Sequence, residues 1–325
     1  MERPNIGLVG AGALGSRHLQ ALMITNRALN IYVMDTSEES LRKSEELCYQ
    51  MRESSNHKII FTTDVNKLPK KLEVVIVATS ANVRKIVIEQ IIANSKVNYF
   101  ILEKVLFQKI EDYRTVHKMF EENNIKSWVN CPRRLYPFYQ ELKERLSNAT
   151  SMEISVSGSA WGLGCNGIHF MDLIAFLAGN EMVKVDISGL EKEYLQSKRL
   201  GFLEIAGTIS GTMGRCKNYS ITSYLGQTCP ISIQITSDVL KCVISESKKT
   251  ALIAEESNEW EWKEEIFQLP YQSQLTQVVL QDILDTGECK LTDYDTSRYL
   301  HENLQEALIP YFTKLGVEGN QCPIT

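Results

Sequence analysis

The sequence predicts an α/β protein in which an N-terminal Rossmann-type doubly wound parallel sheet is joined to a C-terminal α+β domain with a mostly antiparallel, open sheet. Three observations predict it. Short β-rich apolar runs alternate with helical patterns as far as about residue 130. The glycine-rich turn "GAGALG" follows the first run directly. Beyond "CPRRLYPFYQELKERL" the texture changes to longer segments of alternating apolar and polar residues.

The apolar runs of the first part are "NIGLVG", "NIYVMD", "KIIFTT", "EVVIVAT", "YFILEK" and "KSWVN", with helical patterns such as "ALGSRHLQALMITNR" and "NVRKIVIEQIIANS" between them. Alternation of this kind builds βαβ units, and near-continuous apolar strands fit a sheet covered on both faces. The second part offers "SMEISVSG", "VKVDISGLEKE", "GFLEIAGTISG", "YSITSYLG", "ISIQITSDVLKCVIS" and "TALIAEES", whose period of two leaves one sheet face polar. A helix beginning near Gly167 is expected to cover the other face, because Phe170, Leu173, Ile174 and Leu177 form one stripe and Gly179 offers a stop. "QLTQVVLQDILDTG" and "DTSRYLHENLQEALIPYFTKLG" read as two closing helices.

At 325 residues the chain exceeds what one core usually supports, so two domains are expected, 1–130 and 131–325, with the closing helices able to pack back on the first. A formal net charge of -5 leaves no electrostatic footprint for nucleic acid or an anionic membrane. No apolar run approaches the ~18 residues of a membrane span, and "MERPNIGLVGAG" lacks a signal peptide's apolar core, so a cytoplasmic location is expected. The eight cysteines form no C-x-x-C pair, which points to reduced thiols and to no metal site.

Gly10, Gly12 and Gly15 spell G-x-G-x-x-G between a strand and a helix, with Ala11, Ala13 and Leu14 filling the turn. Such a turn brings backbone N–H groups and a helix N-terminus against a pyrophosphate. Asp35 follows 20 residues after Gly15, where its carboxylate can accept the adenosine ribose hydroxyls. That carboxylate would repel a 2′-phosphate, so NAD is favoured over NADP, although Thr36, Ser37 and Arg42 could accommodate one. Ala78, Thr79, Ser80 and Asn82 end the fourth strand, where they either line the cofactor crevice or make a plain turn with Asn82 as a cap. Glu103 and Lys104 end the fifth strand at the same rim, where a lysine in an apolar cleft can exchange protons with a hydroxyl.

The order of these motifs, with "ILEKV", "WVNCPRRLYP" and "GCNGIHFMDL", resembles the glucose-fructose oxidoreductase and inositol dehydrogenase family, Gfo/Idh/MocA, over nearly the whole chain. The resemblance implies an NAD(P)-dependent dehydrogenase or reductase interconverting a secondary alcohol and a ketone on a sugar, cyclitol or similar polyol. It further implies pairing into a homodimer or homotetramer through the open sheet. Lys104 would lie between substrate and nicotinamide, with Val105 where the family has proline. Arg133 or Arg134 would hold cofactor or substrate, or else serve the structure. His169 and Asp172 match the family's histidine and second aspartate, the histidine and Lys104 serving the substrate hydroxyl as proton donor and acceptor; Cys165 replaces the first aspartate, so that Asp172 takes over its role, Asn166 supplies a neutral hydrogen bond instead, or the substrate hydroxyl is bound differently. Trp161 would stack on a sugar ring or fill a domain joint. The "WGLGCN" loop is similar to loops in bacterial surface-sugar pathways. Two rivals stand beside this reading: a reductase of a non-sugar substrate, and a non-catalytic sensor of NAD and a sugar.

Overall fold

In the computed structural model, which describes residues 3–49 and 56–325, the first apolar run forms β1 (Asn5–Val9). It is followed by α1 (Ala13–Met23), β2 (Asn30–Met34), α2 (Glu38–Tyr49), β3 (Lys58–Thr62), β4 (Lys71–Val77), α3 (Arg84–Asn94), β5 (Lys96–Leu102), α4 (Ile110–Glu122) and β6 (Lys126–Val129). Then come α5 (Pro137–Arg145), β7 (Met152–Ser159), α6 (Leu163–Ala178), β8 (Lys184–Leu190), β9 (Leu195–Gln196), β10 (Leu203–Glu204), β11 (Gly207–Met213) and β12 (Cys216–Tyr224). The rest is β13 (Cys229–Ser237), β14 (Leu240–Ser245), β15 (Thr250–Glu255), β16 (Lys263–Ile266), α7 (Gln272–Thr286), β17 (Thr292–Asp293) and α8 (Tyr294–Lys314). The first two residues of the expected N-terminal domain and the stretch 50–55 lie outside the described residues.

The chain divides into two compact units. The first takes in the residues up to Phe107, Glu111–Pro132 and Pro270–Asp295; the second Gln108–Ile110, Arg133–Leu269 and Thr296–Thr325.

In the first unit the strands lie in the order β17-β6-β5-β4-β1-β2-β3, parallel except where β17 meets β6. The six apolar runs supply β1 to β6. Two-residue β17 was not expected, being too short to show a period. Val9 sits between Met34 and Val77, so β1 is the strand from which the order runs outward in both directions. The carboxyl ends of strands at such a reversal open a crevice for a ligand. Ile6, Leu8, Val33, Val74 and Ile76 are fully buried, as a sheet covered on both faces requires. Helix α7 packs on α1 within this unit.

In the second unit eight strands run β16-β15-β14-β13-β7-β12-β11-β8, antiparallel except for β7 beside β12. Helix α6 lies against β7, β11 and β12 with the whole Phe170, Leu173, Ile174 and Leu177 stripe buried. It stops at Gly179, whose φ of 93° suits glycine. On the opposite face, pairing aligns Ser220, Ser155, Gln234, Val243 and Leu252 in one row across the sheet.

Two details differ from expectation. "ISIQITSDVLKCVIS" is not one strand but a hairpin of β13 and β14, turned by the Ser237 hydroxyl, which accepts from Leu240 N–H at 2.9 Å and donates to the Leu240 carbonyl at 3.0 Å. Alternation is blind to such a turn, because the same period continues on both sides of it. Helix α6 begins at Leu163, ahead of Gly167, because Glu204 of β10 accepts the N–H groups of Gly164 and Cys165. An acidic side chain at a helix N-terminus satisfies donors that no local cap serves here. Gly164 is needed for this contact, since a Cβ there would stand 2.6 Å from a Glu204 carboxylate oxygen.

Candidate nucleotide and active site

The glycine turn divides its labour among three residues. Gly10 has φ of 99°, and a Cβ there would meet the Ala78 carbonyl carbon at 2.8 Å. Gly15 lets α1 press on the turn, for its Cβ would fall 1.8 Å from the Gly10 carbonyl oxygen. Gly12 faces open space and begins α1 with no side-chain cap, leaving helix N–H groups available to an anion. Asp35, just beyond β2, is held against the turn, its carboxylate accepting Ala11 N–H at 2.6 Å and Ser37 N–H at 2.8 Å. Arg42 is engaged by Glu46 at 2.8 Å. The parallel ladder continues past the strand ends, Ala78 N–H donating to Val9 and Glu103 N–H to Val77, so Gly10, Ala78 and Glu103 share one rim.

Thr79 and Ser80 stand on that rim, and the Thr79 hydroxyl oxygen is buried with no hydrogen-bond partner among the described residues. Asn82 is not the cap of α3, which Val83 occupies; its side-chain oxygen accepts the Ser80 hydroxyl at 2.7 Å. Open space over Gly12, an unserved Thr79 hydroxyl and the Asp35 carboxylate fit a dinucleotide.

The guanidinium of Arg84, first residue of α3, is buried and donates to the carbonyls of Thr79, Val105 and Leu106. It ties the ends of β4 and β5 together. A helix-opening arginine does not show this in sequence. Lys104 is half-buried, the Lys104–Val105 peptide is cis, and Val105 itself is fully buried. Burial pushes the Glu103 carboxyl up, but hydrogen bonds from His18 at 2.9 Å and Asn130 at 2.6 Å, with the Lys104 charge, hold it below the usual carboxylate value. His18 and Asn130 were not anticipated; a helical histidine and a strand-end asparagine carry no signal of their own.

The remaining candidates belong to the second unit. His169 is half-buried on α6, and one turn later Asp172, 1% exposed, accepts from Arg134 at 2.9 Å. Phe176 carries two cations, Lys143 at 4.3 Å and Arg134 at 5.3 Å from its ring centroid. Arg133, a candidate for holding cofactor or substrate, grips Glu246 with two bonds of 2.9 and 2.7 Å and lies 4.1 Å over Phe170. Tyr139 donates to the same carboxylate at 2.7 Å. A largely enclosed, bidentate guanidinium of this kind serves the fold of its unit. Trp161 packs edge-on to Phe170 and donates its indole N–H to Thr222 at 3.0 Å. The Asn166 amide braces the loop by donating to the Trp161 carbonyl at 2.8 Å. Trp161, Cys165, Asn166, Glu204 and Tyr224 line a cavity of about 500 Å³ within this unit. Sequence reasoning missed Glu204 and Tyr224, whose strands come to the cavity only through the sheet.

Residues 4–131 match the model of the oxidoreductase family with an NAD-binding Rossmann fold, GFO_IDH_MocA. They are a Gfo/Idh/MocA NAD-binding domain. This agrees with the strand order and the glycine turn of the first unit. No curated protein matches the chain by sequence.

Solved structures share the fold over nearly the whole chain. The UDP-N-acetylglucosamine 3-dehydrogenase GnnA of Acidithiobacillus ferrooxidans superposes with a TM-score of 0.72 at 15% identity, covering 94% of this chain and 97% of its own. A super-repressor mutant of Gal80p from Saccharomyces cerevisiae gives 0.71 at 12% identity, with 96% and 97% covered. Biliverdin reductase from Synechocystis, in complex with biliverdin and NADP+, gives 0.67 at 12%, with 94% and 98% covered. At such identities the likeness is one of fold. Among the described residues, no helix is long and apolar enough to cross a membrane.

Proposed function

We propose that the protein is an NAD-dependent dehydrogenase or reductase interconverting a secondary alcohol and a ketone on a sugar, cyclitol or similar polyol. The observation that carries this reading is Lys104, half-buried on the rim of the NAD-binding domain beside the buried, ionised Glu103. When bound, NAD supplies the redox chemistry by taking or giving a hydride. Gly10 to Gly15 hold the pyrophosphate, Asp35 the ribose diol and the Thr79 hydroxyl a polar edge of the dinucleotide. Asp35 selects NAD over NADP by charge. Lys104, His169 or both move the proton of the substrate hydroxyl, and Asp172 supports the imidazole from its place on α6. Arg134, Trp161, Cys165 and Asn166 belong to substrate binding, the indole offering an apolar face to a sugar ring.

The sugar-nucleotide dehydrogenase among the similar structures supports a sugar substrate, and the biliverdin reductase marks the non-sugar alternative. Cys165, in place of a carboxylate, favours a second reading in which the protein senses NAD and a sugar without turning them over. A cytoplasmic location and a homodimer or homotetramer accompany the first reading. The deciding experiment follows NADH at 340 nm with wild-type protein over a panel of polyols, ketoses and sugar nucleotides. Turnover of any of them supports an enzyme; binding without turnover moves the assignment to the sensor.

A further inference from the structure

A closed circuit of hydrogen bonds runs through Glu103, the residue before Lys104. Glu103 Oε1 accepts from His18 Nε2 at 2.9 Å and from Asn130 Nδ2 at 2.6 Å. Asn130 Nδ2 also donates to Gln272 Oε1 at 3.0 Å, and Gln272 Nε2 donates to Thr276 Oγ1 at 3.1 Å. Thr276 Oγ1 returns to His18 Nδ1 at 2.8 Å and closes the ring. Because the threonine oxygen already accepts from Gln272, its own proton is free to point at Nδ1, leaving Nε2 to donate to Glu103; donors and acceptors then alternate around the circuit.

Four of the five side chains are buried: His18, Glu103, Asn130 and Thr276. They come from α1, from the ends of β5 and β6, and from α7, which is more than a hundred residues from the others in sequence. Apolar side chains would fill this space at lower desolvation cost, so a fully paired polar ring needs a reason beyond packing. Its position supplies one, since the single carboxylate in the ring belongs to the residue before Lys104.

We propose that His18, Asn130, Gln272 and Thr276 are positioning residues that act through Glu103 to fix Lys104 for proton exchange with the substrate. This rests on the role given to Lys104 above. The ring fixes the Glu103 carboxylate against the end of β5, and a fixed carboxylate sets both the direction and the electrostatic surroundings of the neighbouring ammonium. Helix α7 therefore takes part in the chemistry of the NAD-binding domain.

The test is Thr276→Val, which keeps the shape but removes the hydroxyl, with Thr276→Ser as the rescue. On a polyol that wild type turns over, Thr276→Val should lower kcat by about tenfold, the cost of a slightly misplaced group, with KM and NADH affinity little changed, and Thr276→Ser should recover most of it. Labelling with trace acetic anhydride, read by peptide mass spectrometry, provides a signal independent of turnover. Lys104 acetylation should change by about threefold or more in Thr276→Val, as expected when a charge-assisted network beside an amine is broken, and return in Thr276→Ser, while exposed Lys109 reacts alike in all three. A lowered melting temperature with wild-type kcat and wild-type Lys104 labelling would make the ring purely structural and overturn the proposal. If wild type turns over no substrate, the enzymatic reading fails on its own account, and Lys104 labelling alone decides whether the ring governs that amine.

Discussion

Removing the Asp35 carboxylate should abolish most of the protein's discrimination between NADH and NADPH. In the structure both oxygens already hold backbone donors, Ala11 N–H at 2.6 Å and Ser37 N–H at 2.8 Å, which aim the carboxylate across the glycine turn where an adenosine ribose would sit. Hydrogen bonds to a charged group are worth roughly 1.5–3 kcal/mol each, but the ribose hydroxyls exchange them for bonds to water, so a net of about 2 kcal/mol for the diol is reasonable. A 2′-phosphate about 4 Å from the carboxylate meets a repulsion of about 4 kcal/mol at an effective dielectric constant of about 20, softened by salt and by rotation of the side chain. Wild type is therefore expected to favour NADH by at least about 2 kcal/mol, or some 30-fold. In Asp35→Ala, NADH should weaken by roughly tenfold or more while NADPH holds or improves, bringing the two within about tenfold of each other. Isothermal titration calorimetry of both cofactors with both proteins measures this. A wild type that prefers NADPH, or an Asp35→Ala variant with the wild-type ratio, would refute the reasoning.

Further expectations concern both units. His169→Asn should cut turnover by on the order of 100-fold with NADH affinity nearly unchanged, whereas Lys104→Met should cost turnover and weaken NADH binding as well; steady-state kinetics and NADH fluorescence titration distinguish them. Glu246→Ala strips the carboxylate from partly buried Arg133 and buried Tyr139 and should cost about 3 kcal/mol, seen as a lower denaturant midpoint; a loss under 1 kcal/mol would mean that the guanidinium finds water. Burial pushes the Glu246 carboxyl up, yet the charge and hydrogen bonds of Arg133 and the Tyr139 hydroxyl hold it below its ordinary value. Its stabilisation is thus present above the unfolded carboxyl pKa and fades as pH falls through the folded one, so melting temperature should drop less steeply below about pH 4.5 in Glu246→Gln than in wild type. Light scattering at micromolar concentration should give a dimer or tetramer, and Leu252→Glu, which adds a second carboxylate opposite Glu264, should shift it toward monomer; a monomeric wild type removes the basis for pairing through the open sheet.

Much of the fold is legible in local pattern. Six apolar runs became β1 to β6, and the buried stripe of α6 follows directly from the spacing of Phe170, Leu173, Ile174 and Leu177. The glycine turn was readable for the same reason: its requirements, a positive φ at Gly10 and the absence of a Cβ at Gly15, are set by the backbone of a few consecutive residues. Where local pattern carried two meanings it failed, as at the Ser237 turn, which preserves the alternation on either side.

By itself, then, the sequence determined the alternation that makes a doubly wound sheet, the dinucleotide turn with Asp35 beyond it, and the identity of Lys104 and His169 as candidates. Only the tertiary structure decided which polar side chains distant in sequence meet one another. Arg133 meets Glu246 across 113 positions, Glu204 reaches the start of α6 from 40 residues away, and Thr276 closes on His18 from 258. Such pairs leave no period in the chain, because a hydrogen bond depends on atoms meeting within about 3 Å, and for residues this distant the register of the sheets and the packing of the helices bring them together.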